Sequence, residues 1–164
     1  DALPISCGGV SGNRLSRTAF PWPRPRFLVE SEAITDQLTG LMWTRNADIA
    51  DAPVDWNTAL ETVASLNRRN AFGHNDWRLP NIRELESLTD MEAHSPAIAS
   101  ASLFVNIRDF YWSSTTSVYD PTYGWTLYTL DGNIGVGFKR NPEFCVWPVR
   151  QKAFGAGKYA DETT

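Results

Sequence analysis

The apolar residues between positions 55 and 68 recur with the period of an α-helix. They follow the spacing i, i+3, i+4, i+7 and i+10, which places them on one helical face. Asp55 stands immediately before the first of them, where an aspartate side chain caps the first turn. The pattern therefore predicts an amphipathic helix that begins after Asp55. Its apolar face consists of Trp56, Ala59, Leu60, Val63 and Leu66.

A second, shorter helix is predicted after Pro80. Asn81 and Glu84 have the spacing of a capping box, in which each side chain bonds the other residue's backbone N–H. A short extended piece over residues 77–79 precedes this helix. Its narrow apolar face consists of Ile82, Leu85 and Leu88.

Short extended stretches flank the two predicted helices. Before them, the segment 27–43, with a turn at Gly40, predicts two short strands around a turn. After them, four segments predict strands, and Asp131-Gly132 is typical of a two-residue hairpin turn. Because both helices precede the group of four later strands and do not alternate with them, the pattern predicts an α+β domain. The four later segments are 111–115, 125–130, 133–138 and 145–149.

The chain divides into three parts. Residues 1–26 contain glycines at 8, 9 and 12 and prolines at 21, 23 and 25, a composition that predicts an extended N-terminal arm. Residues 27–151 form the predicted domain, and residues 152–164 form a polar C-terminal tail. The start of the arm alternates as an edge strand does and needs a sheet to join. One side of it holds Leu3, Ile5 and Cys7, and the other holds Ala2, Pro4 and Ser6.

Length and charge exclude some classes of protein. The 164 residues, 42% of them hydrophobic, are enough for one domain with its own core. A net charge of −4 argues against nucleic acid as a partner, and no apolar run is long enough for a membrane span. The chain begins at Asp1 without a methionine, which we interpret as an exported protein whose signal peptide has been removed.

The charge is unevenly distributed along the chain. The arm has four arginines against one aspartate, a net charge of +3, whereas residues 27–151 carry −7. The unequal charge is either without consequence or a sign that the arm docks onto an acidic surface. The arginines in question are Arg14, Arg17, Arg24 and Arg26.

Two cysteines, Cys7 and Cys145, lie too far apart in sequence for a redox or zinc motif. We expect them to form a disulfide, within one chain or between two. The alternative is a pair of separate buried thiols.

Four short motifs occur in order along the chain: LTGLMW at 38–43, DWRLPN at 76–81 with EL at 84–85, YWSST at 111–115 and VWPVR at 146–150. Together they resemble the Lcl C-terminal domain family over residues 27–151. The resemblance implies a C-type-lectin-like fold, with two helices packed on a small, twisted antiparallel sheet. It also implies an exported bacterial protein, since members of the family are generally carried on cell surfaces or appended to other extracellular modules. The member that gives the family its name is a collagen-like adhesin that binds sulfated glycosaminoglycans.

The motif residues are expected to build the fold. Arg78 is expected to pair with a carboxylate such as Glu84 or Asp90, and contact with a ligand is the alternative. The expected core residues are Trp77, Leu79, Trp112 and Trp125.

No catalytic, metal or cofactor site is expected. His74 and His94 lack the spacing of a helical metal site, and Ser113 and Ser114 lack a nucleophile elbow. The sequence at Leu79-Pro80-Asn81 puts an apolar residue where a lectin's calcium site needs a carboxylate or amide.

Two functions remain, both of them non-enzymatic. The first is self-assembly, in which the arm adds to a neighbouring subunit's sheet and builds an extracellular filament or other homo-oligomer. Folding of the arm back onto its own domain competes with this interpretation. The second is binding of glycans, including sulfated ones, by a basic surface. The candidate residues for that surface are Arg68, Arg69, Arg108, Lys139 and Arg140.

Overall fold

The computed structural model describes residues 23–152, which form two α-helices and two antiparallel sheets. The α+β class predicted from the sequence is confirmed. The strands form two sheets where the sequence predicted one. The first sheet has the strand order β1-β2-β3-β7, and the second has the order β4-β5-β6.

The first sheet joins the beginning and the end of the described chain. It contains β1 (Phe27–Glu30), β2 (Ala33–Asp36), β3 (Leu41–Thr44) and β7 (Val149–Gln151). The sequence predicted two strands before the first helix, and the structure has three. The missed turn lies at Ser31, whose φ of 57° is unusual for a residue other than glycine.

The second sheet contains β4 (Phe110–Thr116), β5 (Tyr123–Tyr128) and β6 (Ile134–Phe138). The predicted β5–β6 hairpin is present, but its loop is longer than two residues. Tyr128 N–H donates to the carbonyl of Asn133, and the hydroxyl of buried Thr129 donates to the carbonyl of Arg108 at 2.6 Å. The loop is thus tied to the preceding segment of the domain.

The last predicted strand is shorter than the sequence indicated. Residues 145–148 lie outside the named strands, and a single bridge joins Cys145 to Tyr111 of β4. Regular pairing begins only at Val149, which faces Trp43 of β3.

Both helices begin where their caps predicted. The helix α1 (Trp56–Arg68) is capped by Asp55, whose carboxylate accepts from Thr58 N–H at 2.8 Å. The helix α2 (Ile82–Glu86) begins with the complete Asn81–Glu84 capping box. The buried residues of α1 are Ala59, Val63 and Leu66, whereas Leu60 is exposed.

Aromatic side chains fill two core clusters. In the first, Trp147 contacts Trp43 and Phe104 with ring centroids 5.7 and 4.9 Å apart. In the second, the ring centroids of Trp112 and Phe144 are 4.5 Å apart. The predicted core positions Trp77, Leu79 and Trp112 are confirmed, while Trp125 is only half-buried.

Candidate interaction surface

The strand β6 is an open edge of the second sheet. It pairs with β5 on one side and has no strand on the other within residues 23–152. The opposite edge of this sheet, β4, is covered, because Trp112 N–H donates to Cys145 O and Cys145 N–H donates to Phe110 O. Among the described residues, β6 is therefore where this sheet offers a backbone to a partner.

Two hydrogen bonds show which backbone groups of β6 point outward. Tyr128 N–H donates to Asn133 O at 2.8 Å, and Lys139 N–H donates to Thr122 O at 2.9 Å. Hydrogen-bonded pairs alternate along an antiparallel ladder, so the intervening pairs direct their N–H and C=O groups away from each other. The residues of β6 in those intervening pairs are Ile134, Val136 and Phe138.

The outward groups have few partners. The carbonyl of Phe138 accepts from Asn141 N–H at 2.9 Å. Outside the β5–β6 ladder, no hydrogen bond between described residues reaches the backbone of Ile134 or Val136. These two residues offer two N–H donors and two C=O acceptors to solvent.

The same strand exposes apolar side chains on one face. Ile134 and Val136 are 36% and 45% exposed. Their cross-strand neighbours on β5 are Leu127 and Trp125, which share the same face of the sheet. Trp125 is half-buried and extends the exposed surface onto β5. We call this surface the β6 apolar strip, and its members are Tyr123, Trp125, Ile134, Val136 and Phe138.

The other face of β6 is closed by aromatic rings. A Cβ at Gly135 would lie 2.5 Å from Cε2 of Tyr128, and one at Gly137 would lie 2.9 Å from Cη2 of Trp112. The glycines let these rings lie directly on the strand. Beside them, a surface cleft of about 470 Å³ is lined by Asp109, Phe110, Tyr128, Leu130, Asp131, Asn133, Ile134 and Gly135.

Of the residues predicted to form the arm contact, only Arg24 and Arg26 are among the described residues. Leu3, Ile5, Cys7, Arg14 and Arg17 lie outside the described residues. Arg24 is exposed and has no ion pair within the part of the chain that the structure describes.

Arg26, assigned to the arm by its sequence, is held by the domain. Its Nε and Nη2 donate to the two carboxylate oxygens of Asp36 at 3.0 and 2.8 Å. Its Nη2 also donates to the carbonyl of Ser87 at 2.6 Å. The guanidinium is thus committed to intramolecular contacts.

Cys145 is a core residue. Its side chain is 4% exposed, and burial raises the pKa of its thiol to about 11. No disulfide occurs between residues 23 and 152, and Cys7 lies outside that range. A bond between the two cysteines stays a prediction, and it requires the sulfur of Cys7 to enter the core.

The five predicted glycan-binding residues do not form one cluster. Arg68 and Arg69 lie at the C-terminal end of α1, and Lys139 lies at its N-terminal end with Nζ 4.1 Å from the Trp56 ring. A helix of 13 residues separates these groups by about 20 Å. Arg140 follows Lys139 and is exposed.

Three of those basic side chains already have partners. Arg68 pairs with Glu61 at 2.5 Å, and Arg108 pairs with the buried carboxylate of Asp48 at 2.8 Å. Lys139 donates to the hydroxyl of Thr116 at 2.8 Å. Within the described chain, Arg69 and Arg140 form no ion pair. The two ion pairs reduce the positive charge available to a sulfated ligand.

The motif residues have structural partners. Arg78 forms a bidentate pair with Glu84, at 2.7 and 2.6 Å, which confirms the predicted ion pair. Ser113 Oγ is buried and donates to the carbonyl of Trp125 at 2.7 Å, while His74 packs edge-on against Trp77.

Residues 23–152 contain neither a metal-binding cluster nor a helix that could span a membrane. No three His, Cys, Asp or Glu side chains in this range come together in a way that would hold a metal ion. No helix in the same range is both long and apolar enough to cross a membrane.

Sequence reasoning predicted the strand over 133–138 but did not single out its free edge. The signal was available in the alternation of Ile134, Val136 and Phe138 with two glycines. The cleft beside Tyr128 had no such signal, because Phe110 and Asp131 are remote in sequence.

Comparison with known families and proteins gives one positive finding. Residues 32–150 match the Lcl C-terminal domain. Comparison with curated proteins gives no significant match.

Proposed function

The chain belongs to the Lcl C-terminal domain family, and we propose that it is a secreted, non-enzymatic surface protein that assembles with copies of itself through its N-terminal arm. The family match supports this proposal, because the resemblance to the same family was the reason to expect an exported surface protein. A C-type-lectin-like arrangement is part of the proposal, because β1 and β7, the first and last described strands, share one sheet.

The observation that carries the proposal is the open edge of β6. Natural proteins protect sheet edges with charged residues, proline, bulges or covering segments, since a bare edge invites pairing with another chain. Residues 134–138 contain no charged residue and no proline, and their pairing with β5 is regular. An unprotected edge next to an exposed apolar strip favours a partner that adds a strand.

The distribution of charge along the chain favours a second copy of the same chain as the partner. The arm carries +3 in residues 1–26, but Arg26 is neutralised by Asp36 within the domain. The arginines at 14, 17 and 24 then have a charge opposite to that of residues 27–151, in which acidic residues outnumber basic ones. Complementary charges on the two ends of one chain favour a head-to-tail contact, which produces a filament when it does not close into a ring.

Glycan binding is the second candidate, and the cleft beside Tyr128 favours it. Aromatic rings with neighbouring carboxylate and amide groups suit a sugar, whose ring has both apolar faces and hydroxyls. The cleft contains Asp109 and Asp131 and so fits an uncharged sugar better than a sulfated one. The scattered basic residues give weaker support to the sulfated ligand expected from the sequence.

Electron microscopy of negatively stained samples tests the proposal. The full chain is compared, in buffer without reductant, with a variant that lacks residues 1–20. The deletion keeps Arg26 and every contact described for residues 23–152, and circular dichroism verifies that the variant remains folded. We expect regular assemblies of the full chain and discrete particles of the variant.

Discrete particles in both samples would contradict self-assembly. The leading function would then be glycan binding, and glycan-array binding by the full chain, with Tyr128→Ala as the control variant, would test it.

A further inference from the structure

We propose that residues 2–7 of a second copy add to β6 as an antiparallel strand, with Ile5 opposite Val136. The inference rests on the proposed self-assembly and specifies its interface. It follows from three independent constraints: the outward backbone groups of β6, the β6 apolar strip and the position of Pro4 in the arm.

The receiving edge sets the first constraint. The N–H and C=O groups of Ile134 and Val136 point outward, and the side chains of the same residues lie on the exposed apolar face. A strand that pairs with β6 must direct its own N–H groups toward these two residues. It must also place apolar side chains on the face that holds the β6 apolar strip.

Pro4 determines which arm residues bond to β6. Along a strand, consecutive residues direct their backbone groups to opposite sides, and proline has no N–H to donate. Suppose that the backbone groups of Leu3, Ile5 and Cys7 are directed toward β6. The backbone of Pro4, which has no N–H, is then directed away from β6, and no hydrogen bond of the ladder is lost. The opposite choice would place proline in the ladder.

Strand direction follows from the same residues. In an antiparallel pair, two residues that exchange hydrogen bonds are directly opposite and share one face of the sheet. The apolar residues of the arm then lie beside Ile134 and Val136. A parallel strand with the same inward residues would place their side chains on the face closed by Tyr128 and Phe144.

The length of the edge sets the register. The outward residues of β6 number three, as do the apolar residues of the arm, and pairing Ile5 with Val136 uses all of them. Cys7 then lies opposite Ile134, and Leu3 lies opposite Phe138, whose carbonyl is already bonded to Asn141. Because Leu127 and Tyr111 lie between Ile134 and Cys145 across the sheet, this register excludes a bond between Cys7 and Cys145. The intervening residues 8–22 extend about 50 Å at full length, which is enough to reach a neighbouring copy.

The edge of β1 fits the arm less well. That strand has four residues and ends in Glu30, which pairs with Lys152 at 2.5 Å. Pro25 precedes it, and charge and proline are the features that protect edges from pairing.

A matched pair of arm variants tests which alternate residues of the arm direct their backbone N–H groups toward β6. Ile5→Pro removes an N–H group that donates to Val136 in the proposed strand, whereas Ser6→Pro removes an N–H group that is directed away from β6. Both variants lie outside residues 23–152 and add one proline to the same arm. We expect Ile5→Pro to reduce the assembled fraction in a sedimentation assay at least tenfold and Ser6→Pro to stay within twofold of the natural chain. Equal assembly by both variants would overturn the proposed strand.

A second pair tests the receiving edge. Val136→Lys puts a charge on the edge, and Val118→Lys puts the same charge on a residue that is 87% exposed outside the strands. We expect assembly to fall at least tenfold in the first variant only, with both urea midpoints unchanged. Filaments of Val136→Lys as abundant as those of the natural chain would overturn the role of β6 and leave self-assembly itself standing.

Mixing the two defective variants tests whether the partner is a second copy. Ile5→Pro keeps an intact edge and Val136→Lys keeps an intact arm, so an equimolar mixture is expected to form heterodimers of twice the monomer mass by light scattering. If the arm occupies the edge of its own chain, the mixture stays monomeric and the proposal fails. Absence of any assembly by the natural chain would instead reject the proposed function, and the inference with it.

Discussion

The guanidinium of Arg26 donates hydrogen bonds to both carboxylate oxygens of Asp36. The side chain of Asp36 is fully buried, and that of Arg26 is 17% exposed. Asp36 also accepts from Leu38 N–H and from the hydroxyl of Thr39. One carboxylate therefore joins the residue before β1 to the turn between β2 and β3.

Arg26→Ala is expected to lower the free energy of unfolding by about 3 kcal/mol, because it leaves a buried carboxylate without its counter-charge. Urea unfolding followed by tryptophan fluorescence measures the change. Arg24→Ala is the control, since Arg24 is exposed and has no ion pair among the described residues. A loss below about 1 kcal/mol would show that the other donors to Asp36 suffice.

Gly137→Ala is expected to destabilise the domain by about 1–3 kcal/mol through overpacking. The new methyl group would lie 2.9 Å from Cζ of Phe144 and from Cη2 of Trp112, which are both core rings. Gly124→Ala is a matched control, because Gly124 is directly opposite in the sheet and its Cβ would meet Trp112 at 3.4 Å. Thermal unfolding compares the two variants, and equal midpoints would contradict the prediction.

The thiol of Cys145 is expected to resist modification in the folded protein. Burial excludes reagents and raises its pKa to about 11, so the thiolate is scarce at neutral pH. In a Cys7→Ser variant, Ellman's reagent should label no thiol under native conditions and one thiol in guanidinium chloride. Rapid labelling of the folded variant would contradict the buried position.

The same assay tests the predicted disulfide. The natural chain, purified and unfolded without reductant, should show no reactive thiol if Cys7 and Cys145 are bonded. Two reactive thiols would show separate cysteines, which is the outcome that the proposed pairing of Cys7 with Ile134 requires. Electrophoresis without reductant then distinguishes a bond within one chain from a bond between two.

The ion pair of Asp76 and Arg150 is expected to make stability depend on pH in the acid range. Hydrogen bonds from Arg150, at 2.6 and 3.1 Å, hold the pKa of Asp76 below its ordinary value of 3.8. A lowered folded-state pKa stabilises the fold above the ordinary value, and this contribution is lost as the pH falls through the folded-state pKa.

Asp76→Asn measures that contribution. The difference in unfolding free energy between the natural chain and the variant should be constant from pH 7 to about pH 5 and should shrink below about pH 4. Asp51→Asn, which changes an exposed carboxylate without an ion pair among the described residues, is the control. A difference that grows on acidification would reverse the predicted sign.

Local sequence signals determined much of the fold. The two helices begin at Asp55 and Asn81 because cap and apolar spacing act within one or two turns. The α+β class followed from the change of hydrophobic period along the chain. The ion pair of Arg78 with Glu84 was predictable because only six positions separate the two residues.

Tertiary structure decided what depended on distant partners. Trp125 was predicted to be in the core but lies half-exposed, because its side chain is on the face of the second sheet where Ile134 and Val136 are exposed too. Arg26 belongs to the domain because Asp36 and Ser87 converge on it from remote positions. The basic residues expected on one surface lie at opposite ends of α1 or in ion pairs.

The candidate interface shows the same division. The sequence by itself determined that the arm alternates apolar residues with Pro4, and that residues 133–138 form a strand. Only the tertiary structure decided that this strand is at an edge and that its outward backbone groups belong to the residues with exposed side chains. The physical reason is that periodicity specifies which side chains share a face, whereas strand order is set by packing between segments distant in the chain.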